Sequence, residues 1–320
     1  MDANGDRLIE WSKPQRAAFG QAIQRTRHRI HELDLFDDQS LTTLLDKYPR
    51  KLLQAFTMGT DAAKREDWGP VEIGTVSGTE LLEAVRHGRL WLNILRVQDA
   101  DERMSELMDR LYGELAADCP HFKPFRYSGT LLISSPSAQV YYHVDGPPNL
   151  LWHIRGRKKI YVYPAGDRRL VPLEIMEDVF ASVADEEMPF DSSFDDVAVV
   201  YDLEPGDVAS WPHNAPHRVV NSGTFNVSLS TNHWTEASEH RKLVYVSNRF
   251  FRRRLGLPTR STREDGLWAQ GKCFSYRVCR RLGLDKTKTT FRYEAKYRVD
   301  PLAPLGITPL KEVSRAAFAV

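Results

Sequence analysis

Two hydrophobic periods divide the chain. Up to about residue 125 the apolar positions recur at helical intervals. Phe19, Ile23 and Ile30 fall near one face of the stretch after Pro14, and Leu41, Leu44 and Leu45 follow the helix-start signal Asp37-Asp38. Ser77-Gly78-Thr79-Glu80 has the form of a capping box, opening a short helix that Gly88 can close. Met104, Leu107, Met108, Leu111 and Leu115 make one buried stripe of a further helix. From about Gly129 the period changes to short apolar runs broken by Gly, Pro, Asn and Asp: TLLIS, QVYYHVD, NLLWHI, KKIYVYP, VAVVYDL, DVASW, HRVV and TFNVSLSTNHW. That rhythm predicts an antiparallel sandwich or barrel.

Two segments break it. Between KKIYVYP and VAVVYDL, from about Asp167 to Asp196, a helix-like piece around Val179 precedes acidic DEE and FDD clusters, and we expect a solvated insertion joining two strands. After Trp234 the chain turns basic, with FRRR at 251 to 254 and further Lys and Arg through Arg298. Charge is thus segregated, although the net charge is only +1. A solvated helical face, or a contact with the acidic part of the same or a neighbouring subunit, is expected here rather than a nucleic-acid patch.

A length of 320 residues with 42% hydrophobic residues allows a sizeable core. The three cysteines, Cys119, Cys273 and Cys279, lack the spacing of a zinc site or redox pair and suit a reducing compartment. The polar N-terminus has no signal-peptide character and no apolar run approaches a membrane span, so the expected location is cytoplasmic, with no membrane partner.

Candidate chemistry lies among the strands. His143 and Asp145 stand two apart at the end of QVYYHVD, so their side chains project to one side before Gly146-Pro147-Pro148 turns the chain. Taken alone, such a triplet also suits a satisfied core histidine. About seventy residues on, EPGDVASWPHNAPHRVVN places His217 at the start of a strand, with His213 four residues earlier in a loop. Two histidines and one carboxylate that leave adjacent positions open are the ligand face of non-haem Fe(II) oxygenases. His213 is the rival third ligand. The strand position favours His217, because loops place ligands less precisely. His153 and His233 read as structural or supporting residues.

These blocks resemble the jumonji-C branch of the cupin superfamily, in particular the cupin-like hydroxylases related to the asparaginyl hydroxylase that acts on hypoxia-inducible factor. The resemblance runs from Tyr127 to Trp234 through H-V-D-G-P-P-N-L-L-W-H-I-R-G-R-K, then L-x-P-G-D-x5-P-x4-H-x3-N, then S-L-S-T-N-H-W. It implies that His143, Asp145 and His217 hold Fe(II), that Lys158 pairs with the distal carboxylate of 2-oxoglutarate, and that Asn149 and Asn232 line the co-substrate site. Strand parity agrees for Lys158, which shares a face with Ile160 and Val162 and so needs a buried anion. Asn232 shares a face with Ser228 and Ser230, which in an ordinary half-buried strand would look outward. Val140 departs from the family's threonine at that position, and Tyr141 or Tyr142 is the expected replacement for its hydroxyl, with Tyr142 counted among the co-substrate residues.

The resemblance implies an α+β fold: a double-stranded β-helix, the jelly roll of cupin and jumonji-C proteins, over residues 126–235. A helical N-terminal region, 1–125, packs on it, and a basic, helical C-terminal extension, 236–320, is suited to homodimer formation. It implies a 2-oxoglutarate-dependent dioxygenase that hydroxylates a protein side chain or small metabolite and releases succinate and carbon dioxide. The alternative is a non-catalytic cupin-like module that binds a metal or ligand. A third reading is an oxygenase that uses the basic tail to hold nucleic acid.

Overall fold

The computed structural model describes residues 7–61, 67–287 and 293–316. The first part of the chain forms β1 (Ile9–Glu10), α1 (Lys13–Ala18), β2 (Gln24–His28), α2 (Asp38–Lys47), β3 (Leu53–Thr57), β4 (Gly69–Glu72), α3 (Gly78–His87), β5 (Leu90–Leu95), α4 (Val97–Ala100) and α5 (Glu102–Asp118). Next come β6 (Arg126–Ser134), β7 (Gln139–His143), β8 (Asn149–Arg155), β9 (Lys158–Val162), α6 (Leu173–Phe180), β10 (Val199–Leu203), β11 (Asp207–Ser210), β12 (His217–Asn221) and β13 (Asn226–Trp234). The C-terminal part forms α7 (Glu236–Leu255), α8 (Gly266–Arg281), β14 (Tyr293–Val299) and β15 (Ile307–Ala316).

The eight runs expected as strands after Gly129 are β6 to β13. They divide between two sheets: β11-β8-β13-β6 lie side by side in a large sheet, and β10-β9-β12-β7 form a small one. This is the strand order of a double-stranded β-helix, a sandwich whose inner faces enclose Leu151, Ile160, Val162, Leu203 and Val219. Period-two alternation builds both walls. Val227 and Leu229 of β13 turn to the outer core, while Ser228 and Ser230 turn inward.

Helices cover the outer faces. Leu41, Leu45, Leu81, Leu107, Leu111 and Leu115 of α2, α3 and α5 pack with Leu131, Ile133, Trp152 and Leu229 of the large sheet. Each buried aliphatic side chain contributes ~1.5–3 kcal/mol relative to exposure. The capping box expected at Ser77 and Glu80 is formed. On the small sheet, Tyr142 and Tyr163 meet Met176, Val179 and Phe180 of α6 and Tyr245 of α7.

The flanks correct the sequence reading. The region 1–125 carries the expected helices, α1 to α5, but also β1 to β5, which extend the large sheet to β1-β2-β11-β8-β13-β6-β5-β3-β4-β14-β15. Ile23 and Ile30 lie outside any α-helix. In β2 the buried residues are Gln24, Thr26 and His28, so its alternation is written in polar side chains and escapes a hydrophobic pattern. The C-terminal extension carries the expected helices α7 and α8, then returns as β14, parallel to β4, and β15. Among the described residues no helix is long and apolar enough to cross a membrane.

Candidate metal centre

Strand pairing sets His217 opposite His143 and Val219 opposite Val140, so β7 carries one extra residue against β12. This β-bulge turns both His143 and Val140 inward. The two imidazoles lie with ring centroids 4.1 Å apart. Asp145, just past the end of β7, brings Oδ1 to 3.8 Å from His143 Nε2 and Oδ2 to 3.4 Å from His217 Nε2. All three donor atoms fall within 4.8 Å of one another, and this is the one such group of side chains among the described residues.

The hydrogen bonds fix which nitrogens face inward. His143 Nδ1 donates to the carbonyl of Tyr141 at 2.8 Å, and His217 Nδ1 to that of Ala215 at 3.2 Å. Each ring thus keeps its Nε2 lone pair for the shared space. Burial holds both histidines below their ordinary pKa, His217 well below, and pushes Asp145 up to about 7. Asp145 Oδ2 is buried without a hydrogen-bond partner, since the nearby imidazole has no proton to give at Nε2. Two neutral imidazoles and an orphaned buried carboxylate oxygen are a donor set that fits a divalent cation.

The peptide around Asp145 is held from two sides. His213 Nε2 donates to the Gly146 carbonyl at 2.8 Å, and Asn214 Nδ2 to the Asp145 carbonyl at 3.0 Å. The rival third ligand therefore serves the backbone of the loop instead. From the other side, Gly146 N–H donates to Glu186 Oε1 at 2.8 Å and Val144 N–H to the Glu186 carbonyl at 2.9 Å. Sequence reasoning missed Glu186, placing it in a solvated insertion. Burial and the neighbouring Asp145 charge push its carboxyl up to about 7.

Lys158 is 4% exposed on the inner face of β9 and makes no hydrogen bond or ion pair among the described residues. Burial lowers its pKa to about 7. The pKa of His153 falls to about 3, mainly through burial and further through the charge of Lys158. Asn149 and Asn232 are direct cross-strand partners. Asn149 Nδ2 donates to Ser230 Oγ at 3.0 Å, so the polar face of β13 looks into the sandwich and not out to solvent. Val140 packs beside the inner apolar cluster. Tyr142 needs correction as a co-substrate residue. It points away from the interior, donates from its hydroxyl to the Leu170 carbonyl at 3.0 Å and packs under α6.

The loop after Asp145 separates two clefts. One, of about 900 Å³, is lined by Pro148, Asn149, Trp211 and His213. The other, of about 790 Å³, is walled by Trp68, Trp91, Tyr141, Phe180, Glu186 and Asn232. Its walls come from the N-terminal region, from the insertion, and from β7 and β13, which carry Tyr141 and Asn232. The insertion in turn is pinned by the basic helix α7: Arg252 pairs with buried Glu177, while Arg249 and Arg253 reach Asp178 at 2.6 and 2.7 Å. Much of the basic run FRRR thus neutralises the acidic segment of its own chain.

No protein-family model matches the chain, and no curated protein matches it in sequence. Solved structures do match in shape. An X-ray structure of E. coli ycfD superimposes with a TM-score of 0.51 at 15% identity, covering 88% of this chain and 70% of that one. A structure of YcfD described as a ribosomal oxygenase from Escherichia coli, in complex with cobalt and 2-oxoglutarate, gives 0.49 at 14% identity over 88% and 69% of the two chains. At such identity the first of these likenesses is one of fold, and this chain shares the fold of that E. coli protein.

Proposed function

We propose that this chain is an Fe(II)- and 2-oxoglutarate-dependent oxygenase, a hydroxylase of a protein side chain or small metabolite. The observation that carries the reading is the pairing of two unmet needs in one sandwich. The buried oxygen of Asp145, beside two neutral imidazoles, wants a cation, and the unpartnered amine of Lys158 wants an anion. A divalent metal answers the first and a dicarboxylate the second.

His143, Asp145 and His217 would hold the metal by one face and leave the opposite positions open. Lys158 would neutralise the far carboxylate, and Asn149 and Asn232 would offer amide hydrogen bonds at the mouth. Fe(II) with 2-oxoglutarate supplies oxidation by molecular oxygen, in which the keto acid loses carbon dioxide to become succinate and one oxygen atom enters a substrate C–H bond. The apolar inner face, including Val140, Ile160 and Val219, keeps water away from that chemistry. The aromatic cleft beside Tyr141 and Asn232 would orient the substrate.

Two further parts belong to this reading. Three free thiols, two of them buried, fit the cytoplasm. Self-association through α8 is supported by Leu267, Trp268 and Phe274, which are 87%, 69% and 66% exposed. Nucleic acid is not the expected partner, since Arg252 and Arg253 are engaged within the chain.

The test is anaerobic titration of Fe(II) into metal-free protein with and without 2-oxoglutarate. A weak visible charge-transfer band that needs both, followed by succinate release in air, supports the oxygenase. Metal uptake with no band and no succinate favours the non-catalytic binding module.

A further inference from the structure

Glu186 sits in the acidic run of the α6–β10 connection, yet both its main chain and its side chain bond to the loop that carries Asp145. In the small sheet β7 is the edge strand. The segment 186–188 lies along that edge: His143 bridges to Glu187 in antiparallel fashion, and Met188 N–H donates to the Tyr142 carbonyl at 3.2 Å. The Glu186 carbonyl then takes the N–H of Val144 at 2.9 Å. There the main-chain pairing ends, one residue short of Asp145. The Glu186 side chain continues it, with Oε1 taking the N–H of Gly146 at 2.8 Å.

Asp145 is thus bracketed: the residue before it is bound by the Glu186 main chain and the residue after it by the Glu186 side chain. On the Asp145 carboxylate itself, Oδ2 has no hydrogen-bond partner. The direction of the carboxylate is therefore set by the backbone that carries it. Glu186 does not belong to the ligand group itself, whose close-lying donors come only from His143, Asp145 and His217 among the described residues.

We infer that Glu186 is a positioning residue that clamps the peptide on both sides of Asp145, so that the carboxylate faces the two imidazoles before the metal arrives. The inference deepens the proposed function and rests on its metal centre. It also gives the insertion a role, since α6, pinned to α7 through Glu177 and Asp178, delivers this one carboxylate to the back of a metal ligand. Supporting groups behind metal ligands change affinity by about 10–100-fold when removed.

The experiment is Co(II) titration of the metal-free full chain, read from the visible spectrum of the bound ion, for wild type, Glu186→Gln, Glu186→Asp, Glu186→Ala and a His143→Ala control. Gln keeps the length and an acceptor oxygen but loses the charge, whereas Asp keeps the charge but falls short of Gly146 N–H. The clamp requires Gln to bind within about twofold of wild type and both Asp and Ala to bind about 10–100-fold more weakly with an altered spectrum. The reverse order, with Asp like wild type and Gln impaired, would assign Glu186 a charge role and overturn the clamp. Equal affinity in all variants overturns it as well. Thermal unfolding of each metal-free variant shows whether it is folded, and if Ala is not, the comparison of Gln with Asp decides alone. If wild type takes up no cobalt, or the His143→Ala control binds it equally, the metal centre itself falls and the clamp with it.

Discussion

His213 and Gly146 are joined by a hydrogen bond of 2.8 Å from the imidazole Nε2 to the carbonyl oxygen, one residue beyond Asp145. This separates the two histidines of the HNAPH run into different roles. His217 meets Asp145 at 3.4 Å from its own Nε2, whereas His213 spends that nitrogen on the backbone. Replacing His217 with Ala should therefore abolish Co(II) or Fe(II) binding. Replacing His213 with Ala should retain it with affinity reduced about tenfold, as for other supporting partners. Isothermal titration with cobalt distinguishes them, and equal loss in both would restore His213 as a ligand.

Lys158 gives the pH dependence of the metal-free, ligand-free protein a definite sign. Its pKa is about 7 when folded against an ordinary 10.5. Between those values the unfolded chain holds a proton that the folded chain has lost, so stability should rise with pH from about 7 toward 10.5. Below about 7 both states hold the proton, and the cost of burying the ammonium is present in full. Lys158→Met should remove this rise and raise stability at neutral pH by a few kcal/mol at most. The same change should weaken 2-oxoglutarate binding by about 100-fold or more while leaving metal affinity unchanged, because it deletes the anion's partner. Urea unfolding across pH 6 to 10 and a co-substrate titration check both. A variant that binds 2-oxoglutarate normally would remove Lys158 from the site.

The contrast between Lys158 and Tyr142 shows how far the sequence was legible. Counting by two along KKIYV put Lys158 on the apolar face correctly, because β9 pairs regularly with β12 from Val162 to Lys158. For Tyr142, next to His143, the count gives the opposite face, where its hydroxyl ends under α6, whereas the bulge in β7 hides that Val140 faces inward with His143. The sandwich strands were legible from apolar runs punctuated by turn residues, whereas the N-terminal strands were not. In β3 and β5 most side chains are buried on both faces, so LQAFT and LWLNIL carry no clean alternation. Glu186 was hidden for another reason. Within Asp-Glu-Glu it has the composition of a solvated loop, and only the packing of α6 against the small sheet brings it to Gly146.

The arginines of α7 should differ sharply in what they hold. Glu177 is fully buried, and burial keeps its carboxyl above the ordinary range despite the partner Arg252. Removing Arg252 strands that carboxylate, so Arg252→Ala should cost roughly 3 kcal/mol in urea unfolding. Arg253 is about half exposed and shares Asp178 with Arg249, so Arg253→Ala should cost less than about 1 kcal/mol. Neither should change a salt-sensitive association with nucleic acid if the basic run serves the fold. Losses of equal size would show that the buried pair contributes no more than the exposed one.

The stripe on α8 predicts an assembly. Leu267, Phe274 and, at the C-cap, Leu282 are exposed, and Gly271 between the first two has open space where a side chain would stand. Spacings of four, three and eight residues keep these positions on one helical face, so a second copy could lay its own stripe across the first about a two-fold axis. Gly271 would then allow the two helix backbones to approach closely. Phe274→Glu should convert a dimer to a monomer by placing two like charges near that axis, while leaving cobalt binding intact, since α8 contributes no side chain to the metal site. Sedimentation velocity over a hundredfold range of protein concentration reads the change. A wild-type chain that remains monomeric throughout would show that the stripe does not join two copies. A dimer unaffected by Phe274→Glu would place the interface elsewhere.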